Sequence, residues 1–501
     1  MDANKSELYD VAVVGCGPVG LVLARLLGSK GIRVAAIDPN RLVCHHPRAT
    51  HLDDETMRTL QTVGAAAMEL QFLRMSGWTL RKRDGTPFLT FAHSEEESDQ
   101  GWQGDYQFHQ PDFESQLRGG LANDPHVDLL FGWEVTDLRQ ADEEVVLTLR
   151  DRKSGDTRAL RAAYAVGCDG AGSFVRRSMA ADVEDLKGTQ RSLIIDIYPF
   201  EHPEGLPRTS GFIVCRQELP LTYVPIFPPM LRFEFMLSGG DSAHELERPS
   251  SIYKLLSPWI AAGGYRIMRT DTYEWHARLV KGWRNGRVLL AGDAAHEMPP
   301  MLGQGMCSGL RDALNLAWKL ASVVKGECHS TLLDTYETER AAHVRPYIVE
   351  SARQSNLIEG FGSGDGLPEV TEPQVVPRMR PSLGVGLADH PTRSIGQLAP
   401  QPRSSDGARL DDVTGYNFVI LGAKESIAAV DDNTRSLWSR LGAVVSPGTG
   451  DRVDKWLAAN GADVAIVRPD RYVYALCSGP NELIAATRKL SERLFRAEAM
   501  A

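Results

Sequence analysis

The 501-residue sequence has no run of about 18 apolar residues, so no segment reads as a helix that spans a bilayer. It also has no basic-then-apolar leader. Met1 to Asp10 is polar and acidic, and the first apolar stretch, Val11 to Val14, runs directly into glycines. Cysteine is sparse: seven residues are dispersed without a Cys-x-x-Cys pair, as expected for reduced thiols in a cytoplasmic protein rather than a disulfide frame. No metal-ligand spacing appears among the Cys and His residues, so no metal is expected. Cations are in deficit, with 55 Lys and Arg against 65 Asp and Glu. A net charge of −10 argues against nucleic acid or an anionic membrane as partner. What remains is an ordinary globular composition, too long for one hydrophobic core, so two or three domains are expected.

From Asp10 to about Asp38 the pattern is strand (Val11–Val14), glycine turn, helix (Leu21–Ser29), strand (Val34–Ile37). A second α/β stretch runs from Arg48 to about Arg118. Val135 to Ala165 alternates apolar and polar residues and reads as a hairpin about Lys153-Ser154-Gly155-Asp156. Ser192 to Trp275 holds strand-like pieces broken by Pro and Gly, which suggest a separate antiparallel sheet. Val288–Ala291 is another buried strand, with helices over Ser308–Val324 and Thr331–Gln354. Pro and Gly accumulate from Gly360 to about Arg403, marking a linker or irregular wrap. Tyr416–Leu421 and Val464–Val467 then read as strands of a small terminal α/β unit. The domains expected are a discontinuous one over 1–190 with 276–360, a sheet domain over 191–275, a linker over 361–394 and a terminal unit over 395–501.

Three motifs carry chemistry. Gly15-Cys16-Gly17-Pro18-Val19-Gly20 is a G-x-G-x-x-G between a strand and a helix. Its first glycine permits a tight turn, its second lets a pyrophosphate approach the backbone, and its third allows close helix packing. The helix N-terminus then faces the phosphates with its positive end. Asp38 closes the second strand, placed to accept ribose hydroxyls. The second motif, Cys168-Asp169-Gly170 to Arg176, follows a strand and opens a helix. In the third, a strand ends at Gly292, and Asp293 projects an acceptor towards polyol hydroxyls. Pro299-Pro300 and Gly303-Gln304-Gly305 follow, offering backbone N–H groups at the start of a long helix, where negative charge is stabilised.

In this order the motifs resemble the glycine-rich, DG and GD fingerprints of the group A FAD-dependent aromatic hydroxylases, over about residues 8 to 350. The likeness is greatest to the 3-(3-hydroxyphenyl)propionate hydroxylase and polyketide hydroxylase types. It is carried by Pro47-Arg48-Ala49, Phe108-His109-Gln110-Pro111, Arg232-Phe233-Glu234-Phe235-Met236-Leu237, Glu247-Arg248-Pro249 and Ser308-Gly309-Leu310-Arg311-Asp312-Ala313. Asp38 stands where Glu is commoner. The resemblance implies an α/β protein: an FAD-binding Rossmann-like domain of the GR2 type, an antiparallel substrate-binding sheet and, from about Ile395, a thioredoxin-like C-terminal domain. With only Cys477 there, that domain is expected to be redox-silent.

Residue by residue, the resemblance implies that Gly15, Gly17, Pro18, Val19, Gly20 and Asp38 hold the ADP half of a non-covalent FAD. Arg48 and Gln110 would contact its ribityl and pyrophosphate region. Asp169 would be shared between FAD and a transient NADH or NADPH. Gly292 and Asp293 would hold the ribityl chain, with Pro300, Gly303, Gly305 and Met306 beside the isoalloxazine. His296, Cys16 and Cys307 are read as structural. The implied reaction is hydroxylation of a phenolic or other electron-rich arene: nicotinamide reduces FAD, O2 adds at flavin C4a, and the hydroperoxide delivers an electrophilic hydroxyl. Tyr223, Phe233, Phe235 and Met236 are expected lining. No catalytic base is identified, with His51, Tyr223 and Tyr265 as candidates. A homodimer is compatible with this reading. The alternatives are a halogenase, whose W-x-W-x-I-P stretch is absent, a flavin oxidase or dehydrogenase without oxygen insertion, and a non-enzymatic binding protein on the same fold, which has no need of Asp293.

Overall fold

The computed structural model describes residues 8–361, 373–374, 378–388, 394–404, 406–447 and 451–495. The strand Leu8–Val14 is central in a parallel array. It lies between Val34–Asp38 and Thr157–Gly167, with Val127–Phe131 outside the former and Val288–Leu290 outside the latter. Both faces of such a sheet are covered, which is why Val11–Val14 and Val34–Ile37 read as unbroken apolar runs. The helices Pro18–Ser29 and Gln304–Val324 pack together on this sheet. A β-carbon on Gly309 would come within 3.0 Å of Gly292 Cα, so the long helix lies directly on the third motif. The alternating segment forms three antiparallel strands, Trp133–Gln140, Val145–Asp151 and Thr157–Gly167, the last two joined by the expected turn.

The antiparallel sheet exceeds the bounds read from sequence. Its central strand runs from Asp182 to Pro199 and its partner from Tyr265 to Lys281. It also recruits the hairpin Gly77–Arg81 with Pro87–Ala92, and the short strand His296–Glu297. Sequence separation hid the hairpin: Ser210–Val214 pairs with Gly77–Arg81 in parallel, a contact that no local pattern announces. One face of the sheet packs on the helix Pro249–Leu256 through Leu193, Ile195, Phe212, Tyr223, Phe233 and Phe235. The other face turns towards the parallel sheet. The second long helix begins at Asp334 after a 3₁₀ turn, Ser330–Leu333.

The described parts of 361–394 wrap the first domain. Gln374 exchanges backbone bonds with Thr90 and Ala92, and Arg380 pairs with Asp54 at 2.6 Å. The terminal unit has four strands in the order Val444–Pro447, Val419–Gly422, Val464–Val467, Val473–Cys477. The first pair is parallel and the others antiparallel, with helices between and after them, which is the thioredoxin-like arrangement. Burial pushes the Cys477 thiol up to about 12, so it carries no thiolate at neutral pH. Phe418 meets Trp318 edge-on at 5.4 Å, and one hydrophobic core runs through both units. Among the described residues no helix is long and apolar enough to cross a membrane.

Candidate active site

The three motifs issue from the same end of three adjacent strands. Val14, Gly167 and Leu290 are in register, so the glycine turn, Cys168-Asp169 and Gly292-Asp293 leave the sheet side by side. Ligands bind at the carboxyl ends of parallel strands in such sheets. Gly15 sits at φ +99°, and a β-carbon there would lie 2.4 Å from the Cys168 carbonyl. A β-carbon on Gly17 would meet nothing within 4 Å, which leaves an open cradle at the start of the helix Pro18–Ser29. Asp38 accepts from the Cys16 backbone N–H at 2.8 Å, tying the acid to the turn. Asp169 caps the short helix Phe174–Ser178, accepting from Ser173 and Val175. Arg176 reaches across to the Ala294 carbonyl at 3.2 Å, joining the second motif to the third.

Asp293 is accessible to solvent yet ringed by protein, as befits the floor of a cleft. Burial pushes its carboxyl up, against the pull of His296 and Arg48. Burial would lower the Arg48 pKa, but Cys44, Tyr273 and Asp293 outweigh it and raise it, so the guanidinium stays charged. Gln110 is engaged within the protein. Its Oε1 accepts from the Arg48 and Ala49 N–H groups at 2.8 Å, and its Nε2 donates to Glu114 at 2.6 Å, so it fixes the segment that carries Arg48. Gly303 caps the long helix at φ +64°, where a left-handed backbone favours glycine, and Gly305 and Met306 lie in its first turn. Pro300 opens the 3₁₀ turn Pro300–Leu302 before it.

Asp312 organises the third motif, a role sequence reasoning missed. It accepts from Gly292 N–H (3.1 Å), His296 Nε2 (2.7 Å) and Arg340 Nε (2.8 Å). Burial would raise its carboxyl, but His296 and Arg340 outweigh burial and hold it below the usual range. The only signal was its place in the Gly309-Leu310-Arg311-Asp312 phrase, and His296 is structural as expected.

The lining residues need correction. Tyr223, Phe233 and Phe235 are fully buried on the far face of the sheet, against the helix Pro249–Leu256. Side chains alternate along a strand, so their neighbours Arg232, Glu234 and Met236 face the cleft instead. Met236 packs with Met301 of the loop before Gly303. Tyr223 Oη donates to the Pro207 carbonyl at 2.9 Å, and Tyr265 lies in the same far cluster, so neither reaches the cleft as a base.

His51 is also committed. Its Nε2 lies 2.8 Å from Asp105 and its Nδ1 3.2 Å from the Gly303 carbonyl. Burial would lower its pKa, but Asp105 and Cys307 raise it to about 10. Protonated, it donates from both nitrogens and holds the start of the long helix. A folded-state value above the ordinary 6.5 stabilises fully below 6.5, and the effect is lost as pH rises through about 10. Cofactor retention on ultrafiltration should therefore fall as pH approaches 10, and His51→Leu should remove that dependence. Retention flat to pH 10 in the unaltered protein would exclude this role.

A glycine cradle, an acid on the next strand and an Asp293-type floor define a flavin dinucleotide site. The match of residues 8–351 to the FAD binding domain model makes this specific: the chain belongs to that family and binds FAD. Residues 396–493 match the HcaD C-terminal domain. The chain is 31% identical to a probable NADH-specific resorcinol 4-hydroxylase of Rhodococcus jostii (strain RHA1), over 97% of this chain and 95% of that one. It is 32% identical to the 3-(3-hydroxy-phenyl)propionate/3-hydroxycinnamic acid hydroxylase of Shigella sonnei (strain Ss046), over 93% and 91%. Among solved structures, the flavin-dependent monooxygenase PieE with FAD and substrate superposes with a TM-score of 0.82 at 20% identity, over 98% of this chain and all of that one. Aklavinone-11 hydroxylase with FAD and aklavinone gives 0.79 at 22%, over 98% and 99%. At that identity the likeness is one of fold.

Proposed function

We propose that this protein is an FAD-dependent monooxygenase that hydroxylates a phenol or other electron-rich arene, with NADH as reductant and O2 as co-substrate. The observation that carries the reading is the cleft. The flavin-binding end of one sheet faces the polar and aromatic face of another, where Tyr273 and Trp275 stack at 5.7 Å. When bound, FAD supplies the redox chemistry, taking electrons from the nicotinamide and passing activated oxygen on. The chain's own residues bind and orient. The Gly17 cradle and the helix end behind it take the pyrophosphate, Asp38 the ribose, and Asp293 the ribityl hydroxyls. The N-terminus of Gln304–Val324 holds the negative charge of the reduced ring. Asp312, His296 and Gln110 keep these groups in place without touching substrate. The relatives' names support NADH and a phenolic substrate.

The test is a panel of phenols with NADH consumption and product mass followed together. A true substrate should accelerate NADH oxidation, and the new hydroxyl should carry label from ¹⁸O₂ and none from labelled water. Peroxide as the sole oxygen product with every phenol, alongside oxidation of a non-aromatic donor, would replace this reading with an oxidase.

A further inference from the structure

The cleft-facing side of the antiparallel sheet carries a patch that the flavin does not explain. Besides Arg269 Nε and Nη2, five buried polar atoms there make no hydrogen bond of ordinary geometry: Glu234 Oε1, Ser192 Oγ, both amide atoms of Gln190, and Trp275 Nε1, although Ser192 lies near enough to Glu234 to lower its carboxyl. Each such orphan costs about 1–3 kcal/mol unless water or a ligand satisfies it, so their concentration on one face calls for an explanation. Their register is consistent. Trp275 is opposite Gln190, Tyr273 and Met236 are opposite Ser192, and Glu234 is opposite Ile194.

Glu234 is placed by its neighbours on either side. Two residues before it, Arg232 pairs with Asp196 at 2.7 Å and donates to the carbonyls of Pro47 and Arg48. Two residues after it, Met236 packs with Met301. The sheet thus touches the flavin domain on both sides of Glu234, which stands on the same strand face between the two contacts. The charged groups around it are Arg232, Arg269 and Asp196. Arg232 is bound to Asp196 and Arg269 donates to the Pro47 carbonyl at 2.7 Å, so both cations act on the Glu234 carboxyl by charge, with Ser192 as its near neighbour.

We propose that Glu234, with Ser192 beside it, receives the substrate's phenolic hydroxyl and takes its proton, and that Gln190 and Trp275 bind a second hydrogen-bonding substituent further along the strand. This rests on the hydroxylase reading above and supplies the base that sequence reasoning could not identify. The phenolic O–H breaks, the proton passes to the Glu234 carboxylate, and the electron pair stays on oxygen and feeds the ring. The ring carbon takes one oxygen atom of O2 as hydroxyl, while the two electrons of NADH reduce the other atom, which leaves as water. The proton displaced from that carbon leaves, and Glu234 returns its own to the product. Gln190 and Ile194 are roughly 13 Å apart along the strand, so the substrate is a phenol with a polar group beyond its ring. Burial raises the Glu234 carboxyl, opposed by Arg232 and Ser192, so it titrates above the ordinary carboxylate range and below it the base is lost.

The experiment uses the holoenzyme and a phenol that the unaltered protein hydroxylates, so failure of the hydroxylase reading appears first and separately. Glu234→Gln should lower kcat about 100-fold, with KM changed much less, and abolish the acid limb of the kcat/KM–pH profile, while flavin content is retained. Ser192→Ala should keep the limb but move it to higher pH. Gln190→Leu should raise KM about tenfold for a substrate with the second polar group and leave that for plain phenol unchanged. Retention of the acid limb in Glu234→Gln, or its unmoved position in Ser192→Ala, would overturn the assignment. Loss of flavin or of the circular dichroism spectrum in both Glu234→Gln and Glu234→Asp would overturn it too, by making Glu234 structural.

Discussion

Glu339→Ala should destabilise the protein by about 3–5 kcal/mol, because it strands buried cations rather than merely removing a contact. Glu339 is 1% exposed and accepts from Arg468 (2.8 and 2.7 Å), Lys319 (2.7 Å), Asn315 (3.0 Å) and the Leu387 N–H (2.8 Å). Burial would raise its carboxyl, but Arg468 and Lys319 overcome that and hold it far below the usual 4.5. A depressed acid stabilises above its unfolded value and loses the effect as pH falls, so the unaltered protein should lose this increment below about 4.5. Without Glu339, Arg468 keeps only Asp470, and Lys319, already lowered to about 8 by burial, sheds its proton. Thermal unfolding at neutral pH should begin several degrees lower, with early proteolytic release of the terminal unit. An unchanged midpoint would mean that the network relaxes around the gap.

The second large effect comes from a pair of glycines three residues apart. A β-carbon on Gly20 would lie 1.9 Å from the Gly15 carbonyl oxygen, backbone against backbone, so Gly20→Ala must open the turn. Both stability and FAD should be lost. A β-carbon on Gly17 meets no protein atom within 4 Å, so Gly17→Ala should leave the apoprotein's melting point within a degree or two. It should still weaken FAD binding at least tenfold, because the methyl group occupies space meant for phosphate. Full FAD occupancy in Gly17→Ala would remove the cradle from the binding account. A large drop in its apoprotein stability would assign the glycine to folding.

The sequence made the flavin half legible because its chemistry is local. A glycine turn, its strand and its acid lie within 31 residues, Leu8 to Asp38, and each glycine has a steric reason visible in the string. The opposite wall is built from strands that meet only in three dimensions, so its contents could be guessed but not oriented. Arg232 to Leu237 carries the family likeness, yet Phe233 and Phe235, the members expected to line the cleft, lie on the opposite face of the strand. A two-residue period has two phases, and Phe233 and Phe235 look as suitable for an arene pocket as for a core. The helix Pro249–Leu256, which settles the phase, leaves no mark on the strand itself. Asp312 and Gln110 were invisible as positioning groups for the same reason, since His296 lies 16 residues from Asp312 and Arg48 lies 62 from Gln110.

The shared core of the two units also bears on biosynthesis. Tyr416 and Phe418 are translated about a hundred residues after Leu314 and Trp318, yet the Tyr416 hydroxyl donates to the Leu314 carbonyl and accepts from the Trp318 N–H. The helix Gln304–Val324 is therefore covered in part by chain about a hundred residues further on. The first unit cannot complete its native core before the terminal unit is present. Until Phe418 arrives, the Trp318 face that it covers is open to solvent, and a chain truncated before residue 395 should expose it.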